Sequence, residues 1–446
     1  MAASHIPEDS IGRFVRSELS RDEAQQVIRH LLTGCAQCSE LMHRATREAN
    51  LFGSGDRDGW KQTYESVFQQ ALAFASELER QLAEERLRGW AQWASLEPLP
   101  PSERISTVQA DPSFHTFGLY TRLLEASRWA LRSEPAEAVD IVRLAIVVTE
   151  RLDMPWIGKP HRADLLATAW ATLGNVQRIA EDFEGARHSF NEAWRILEEE
   201  GSNDPLDRAA IISLEASYMK DIGELEMAIS VLEEAIEIYR KAGDSHSQGR
   251  VLLQSGEIAG HLYPERGITH IQNALTLIDS TKEPFLDLCA QHALAQFLSD
   301  SGHPEAALAV LDRARPLYER FGDEITQLRL HWLEGKIAHR LGKLDEAEHI
   351  FGQLWEELRV RNLNQEVVLV SIEIAQVLTR KGETARAADL AAQCFSIMKG
   401  WRLHNDALTA WIVFQDALAQ GTTEGKVFKN IEAYYRRHWV RPARFS

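Results

Sequence analysis

The residues with the clearest chemical potential lie near the amino terminus: His5, His30, Cys35 and Cys38, spaced H-x24-H-x4-C-x2-C. Two thiolates and two imidazoles at such spacing suit a tetrahedral Zn2+, with both thiols deprotonated by the metal. His43 is an alternative to His5 as a donor. Two metal-free readings fit the same residues: a helical hairpin with vestigial cysteines, and a redox-active thiol pair. To act together, these side chains need two helices and a tight turn. Ser20-Arg21-Asp22-Glu23 is a capping box, in which the serine and the glutamate three residues on satisfy free N–H groups at a helix start. The helix it opens is predicted to run to about Thr33, with His30 on its last turn and Gly34 closing it. Cys35 and Cys38 then sit one turn apart at the start of the next helix, facing back toward His30.

With the apolar positions Ile11, Phe14, Leu19, Val27, Leu31 and Leu41, this pattern resembles the zinc-binding anti-sigma domain of bacterial regulators, in which a His or Cys is followed far downstream by H-x3-C-x2-C. Residues 1–48 form this expected module. Four residues, not three, separate His30 from Cys35, and the turn at Thr33-Gly34 absorbs the difference. The resemblance implies one Zn2+ on His5, His30, Cys35 and Cys38, and a sigma factor clasped by the surrounding helices.

Residues 49–113 read as a helical connector. Gly53, Gly55 and Gly59 do not form a dinucleotide loop, because no strand precedes them and the third glycine is misplaced. From Lys61 to Leu87, Tyr64, Phe68, Leu72, Leu78 and Leu82 follow helical spacing, which predicts one amphipathic helix. Pro98, Pro100 and Pro101 break it. Trp60, Trp90 and Trp93 are expected to pack onto the first repeat of the next segment.

A repeat then fills residues 114–425. A small residue recurs at Ala138, Ala186, Ala228, Gly267, Ala307, Ala347 and Ala387, the last four steps being 39, 40, 40 and 40. Four residues on come Val142, Phe190, Leu232, Ile271, Leu311, Phe351 and Ala391. Three further on come Ala145, Ala193, Ala235, Ala274, Ala314, Leu354 and Cys394. Residues four and seven apart share one helix face, and a small side chain there lets two helices approach closely. Gly223, Gly302, Gly342 and Gly382, five residues before a small position, are placed to end the preceding helix in a left-handed conformation. Trp170, Leu173, Gly174, Ala186, Phe190 and Ala193 stand at the spacings of the tetratricopeptide repeat, which the segment resembles. The expected fold is therefore all-α: an α-solenoid of about seven antiparallel helix pairs preceded by the small zinc-finger module. Residues 426–446 are expected to add a basic capping helix and tail, with six Lys/Arg against one Glu.

If the array binds a partner, the first helix of each pair lines the groove, and the register nominates Asn175, Arg178, Ser217, Lys220, His292, Gln296, Ser299, Arg329, Trp332, Lys336 and His339. Arg329 to His339 would offer cations and a Trp to an acidic-aromatic peptide. This is not the carboxylate clamp of chaperone-binding relatives, since Asn175 lacks the second asparagine and the Lys/Arg partners.

Composition bounds the remainder. The chain has 446 residues, with 49 Lys+Arg against 66 Asp+Glu, a net charge of −17 that argues against coating nucleic acid. No 18-residue uncharged run and no signal peptide are evident, so a cytoplasmic location is expected. No P-loop, H-E-x-x-H or G-x-S-x-G occurs, and Asp56-Arg57-Asp58-Gly59 opens like a calcium loop that has Val67 in place of its bidentate glutamate, so no catalysis is expected. Two function classes remain: a regulator joining a sigma-binding zinc module to a partner-sensing groove, or a repeat scaffold with no role in transcription.

Overall fold

The computed structural model describes residues 6–15, 80–131, 134–152 and 158–399, with scattered positions between 18 and 45 and between 411 and 428. Among these the regular structure is entirely helical, and no described helix is long and apolar enough to cross a membrane. The chain divides into two compact units, one of Met1–Ser127, Asp140–Gly158 and Lys241–Gly243, the other of Arg128–Val139, Lys159–Arg240 and Asp244–Ser446.

The first unit holds α1 (Glu8–Val15), α2 (residues 80–96), α3 (Pro101–Ala110), a 3-10 turn at Pro112–Phe114, and most of α4 (Phe117–Ala130) and α5 (Pro135–Glu150). α2 does not stop at Leu87, as its apolar pattern suggests, but runs on through Gly89. The reason is a helix crossing. A Cβ on Gly89 would fall 2.1 Å from the Gly118 carbonyl oxygen, so α2 and α4 meet backbone to backbone only because both positions are glycine. The buried Glu85 carboxylate accepts the Gly118 N–H at 3.1 Å. Arg104 closes the other end, donating to the Leu96 and Glu97 carbonyls that α2 leaves free. Pro101 then starts α3 at a position that needs no N–H. Trp93 is buried, whereas Trp90 is exposed and packs through the Arg122 guanidinium, 3.6 Å from its ring centre. Trp60 lies outside the described residues.

Among the described residues, the second unit stacks six helix pairs. They are α6 (Lys159–Ile179) with α7 (Phe183–Glu200), α8 (Pro205–Asp221) with α9 (Leu225–Ala242), and α10 (Ser245–Leu262) with α11 (Pro264–Leu277). Then come α12 (Pro284–Asp300) with α13 (Pro304–Phe321), α14 (Glu324–Arg340) with α15 (Leu344–Val360), and α16 (Asn364–Arg380) with α17 (Thr384–Lys399). Every position of the predicted small-apolar-small series is buried, Ala138, Val142 and Ala145 on α5 and the other six copies, from Ala186 to Cys394, on the second helix of a pair. Phe190 and Phe351 show what the small residues permit. Their rings lie so close to Gly174 and Gly335 that a Cβ there would sit 2.9 and 2.5 Å away, and each buried ring contributes about 2–3 kcal/mol. Between α10 and α11 the contact tightens until Gly260 and Gly267 touch, a Cβ on Gly267 falling 2.5 Å from the Gly260 Cα.

The turns keep the same register. Gly223, Gly302, Gly342 and Gly382 have φ of +89°, +86°, +77° and +81°, in keeping with their spacing. At each, the next residue's N–H returns to a carbonyl in the preceding helix, as Lys343 does to Ala338 at 3.0 Å. The turn between α6 and α7 has the same hydrogen bonds but carries Glu181 in the glycine slot, at φ +65°. Beyond α17, the described Trp411, Phe414, Leu418 and Phe428 are buried in one cluster with α14 to α17; most of the expected capping segment lies outside the described residues.

Candidate functional site

The first helices α6, α8, α10, α12, α14 and α16 share a face on which polar side chains reach from one pair to the next. Arg178 donates to its neighbour Asn175 at 3.0 Å and ion-pairs with Asp221 at the end of α8. Lys220 lies 3.7 Å from the same carboxylate. Gln254, on α10, donates to the Ser213 carbonyl at 2.7 Å and the Ser217 hydroxyl at 3.0 Å. Further on, Asp300 at the end of α12 receives Arg340 at 2.6 Å and Lys336 at 3.6 Å. Lys336 also reaches Glu373 on α16 at 4.0 Å, and Arg380 donates to the His339 carbonyl at 2.8 Å. Stacking of the pairs thus turns nominated cations into parts of ion-pair chains.

Two histidines report the electrostatics of this face. Burial pushes the His292 imidazole down to about 4, and the cations Arg329 and Lys336 push it the same way. Its Nδ1 shares a 2.6 Å hydrogen bond with the Tyr318 hydroxyl. His339 is likewise held down to about 4, by burial and then by Arg380 and Arg340. Both are neutral at pH 7, and both sense positive neighbours. His339 is therefore a correction to the nominated groove: it is buried, its Nε2 has no hydrogen-bond partner, and a neutral imidazole is cheaper to bury there than a charged one. Trp332 is half-buried against the cluster of α14 to α17, while Arg329, Gln296 and Asn175 keep part of their surface in water and Ser299 is buried.

The register also reaches a residue outside the nominated set. Stepping 40 residues from Ser217 leads to Glu257 on α10. Glu257 is open to solvent by surface area, yet protein surrounds it closely enough that desolvation pushes its carboxyl up, against the pull of Lys220 and Arg329. Cys289, on α12, feels Glu257 and Arg329 together, and burial pushes its thiol up to about 11. It is a thiol rather than a thiolate nucleophile.

Of the nominated zinc donors, His5, Cys35 and the alternative His43 lie outside the described residues. Cys38 is fully buried and the Nε2 of His30 is withdrawn from solvent. Among the described residues, no three His, Cys, Asp or Glu side chains are grouped to hold a metal ion.

No protein-family model matches the chain, and no curated protein matches it. Solved structures do. A Rap protein complexed with competence and sporulation factor is similar at TM-score 0.52 and 15% identity, over 71% of this chain and 87% of that one. The apo form of RapI is similar at TM-score 0.52 and 14% identity, over 71% and 86%. Aspartyl phosphate phosphatase F from Bacillus subtilis is covered over 96% of its length and 90% of this chain, at TM-score 0.49 and 14% identity. At such identities the likeness is one of fold, and that fold is the tetratricopeptide-like helical solenoid.

Proposed function

We propose that this chain is a cytoplasmic, non-catalytic interaction protein whose first-helix face holds an acidic segment of a partner protein. The observation that supports this reading is the positive surroundings of His292 and His339, where Arg329, Lys336, Arg340 and Arg380 outnumber Glu257, Asp300 and Glu373 in a chain of net charge −17. Excess cations on one face attract and orient an anionic segment, and Trp332 beside them offers an apolar stop. The similar Rap protein was solved in complex with competence and sporulation factor, in keeping with a binding use of such a fold. A labelled synthetic peptide rich in Glu and Phe tests it. Binding should fall at least about tenfold in Trp332→Ala/Lys336→Glu while the helical signal is retained; equal binding by both proteins would sink the assignment.

A second reading concerns residues 1–48. The donor spacing, the buried thiol of Cys38 and the withdrawn Nε2 of His30 favour one Zn2+ on His5, His30, Cys35 and Cys38, in a module that grips a sigma factor. Bound zinc would tie the two helices together and present their apolar faces to that partner. Elemental analysis should return about one zinc per chain, and protein purified without chelator that contains none refutes the site. Recovery of a sigma factor from the native host, lost on deletion of residues 1–48, is the matching test of the partner; its absence under gentle conditions leaves the scaffold reading.

A further inference from the structure

A second surface of the array stands out by what it exposes. Large apolar side chains are exposed at three successive turns between first and second helices: Phe183 after α6, Ile222 and Met227 around the turn after α8, and Leu262 and Tyr263 after α10. Corresponding turns farther along, at Gly302-His303, Gly342-Lys343 and Gly382-Glu383, carry no exposed large apolar residue. The three apolar turns are neighbours. The Tyr263 hydroxyl donates to the Glu226 carboxylate at the start of α9, and Tyr218 senses Glu184 of α7 together with Glu224 of its own turn. They form one ridge along the edge of the stack where these first helices end.

The ridge is acidic. Glu181, Asp182, Glu184, Glu224, Glu226 and Glu265 flank it, against Arg187 and Arg266, which are themselves paired to Glu184 and Glu233. One acid sits there at a cost. Glu181 occupies the slot that four other turns fill with glycine, and a side chain at φ +65° is disfavoured by about 1 kcal/mol. Its Oε1 is withdrawn from water with no hydrogen-bond partner. The turn closes as well with glycine, so the fold does not require this residue.

Apolar residues ringed by carboxylates suit a segment that is both apolar and cationic. The chain contains one. Residues 429–446 carry Lys429, Arg436, Arg437, Arg441 and Arg444 against Glu432, interleaved with Tyr434, Tyr435 and Trp439. Phe428 anchors the start of this segment in the cluster with α14 to α17, three helix pairs beyond the ridge. At 8–10 Å per packed layer that is roughly 30 Å to the nearest ridge turn and 50 Å to the farthest, against the roughly 60 Å that the segment spans fully extended. Covering the ridge within one molecule would hold the segment near full extension, at a cost in chain entropy that a segment from a second copy does not bear. We infer that the ridge at Phe183, Met227 and Tyr263 docks residues 429–446 of a second copy of this chain, so that copies associate edge to tail.

The test uses the full-length protein and a fluorescent synthetic peptide of residues 429–446. The peptide should bind, with affinity falling steeply between low and high salt. Binding should weaken at least about tenfold on Met227→Lys/Leu262→Lys, and stay unchanged on Val360→Lys, an exposed apolar position at the end of α15. A peptide with Arg436→Glu and Arg437→Glu should not bind. Sedimentation of the full chain should show concentration-dependent association that the ridge variant loses while its helical signal and melting remain those of the parent. Parent-like peptide binding by the ridge variant, equal loss in Val360→Lys, or no binding of the peptide at all would overturn the proposal.

Discussion

Asp207 offers a direct measure of how the junction between helix pairs is held. It lies in the first turn of α8, where Asp204 caps the helix by accepting the Leu206 N–H at 2.8 Å and Asp164 of α6 accepts the Ser202 N–H at 2.9 Å. Burial, then Asp164 and Asp204, push the Asp207 carboxyl from 3.8 up to about 6, while His161 pulls it back. Tyr239, on α9, faces the same carboxylate. The full rise is worth roughly 3 kcal/mol, and since Asp207 keeps part of its surface in water, screening reduces this to about 1–2 kcal/mol. The sign comes from proton binding. Between pH 4 and 6 the folded protein holds a proton that the unfolded chain has released, so stability falls as pH rises across that window. Asp207→Asn removes the charge and keeps the shape. It should stabilise the protein by about 1–2 kcal/mol at pH 7, with the gain shrinking toward zero by pH 4. Urea melts of both proteins at four pH values measure it. A gain independent of pH, or a loss at pH 7, would show that Asp207 is not held in a region where its charge is costly.

The same geometry sets three other outcomes. Glu181→Gly should raise stability by about 1 kcal/mol in chemical denaturation, by placing glycine where φ is +65°. Ala228→Leu, at a fully buried small position of α9, should cost about 1–3 kcal/mol by overpacking against α8, whereas the same substitution at an exposed alanine such as Ala83 should change little. Tyr318→Phe removes the hydrogen bond to His292 Nδ1 and leaves that nitrogen buried; a destabilisation of about 1–3 kcal/mol is expected in thermal or urea melts.

The repeat is legible in the sequence because its signals are local. Ala307, Leu311 and Ala314 lie within two turns of one helix, and Gly302 terminates the helix before it, so one short stretch of sequence contains both the packing face and the turn that orients it. The electrostatic character of the face is not legible, because each charge is decided by a residue about one repeat away. Arg178 reads as a free cation until Asp221 is brought against it, and Lys336 until Asp300 and Glu373 are. His339 shares a helix side with Arg329 and Lys336 in projection, but the next pair, through Arg380, covers the last turn and takes the imidazole out of water. Side chains three or four apart on a helix differ by tens of degrees, and with a first helix covered on both flanks that angle separates a half-exposed side chain from a buried one. Glu257 shows the converse: its position comes from the 40-residue step, and only the enclosure that raises its carboxyl distinguishes it from the many solvated glutamates around it. In a stacked-pair protein, then, a sequence register locates the residues that face a partner, but the charge they present is a property of two adjacent pairs. Substitutions that test such a face must therefore be read with their cross-pair partner in mind: Asp300→Asn alone should strengthen capture of an acidic peptide by freeing Lys336 and Arg340, and a weakened or unchanged affinity would show that these cations do not meet the ligand.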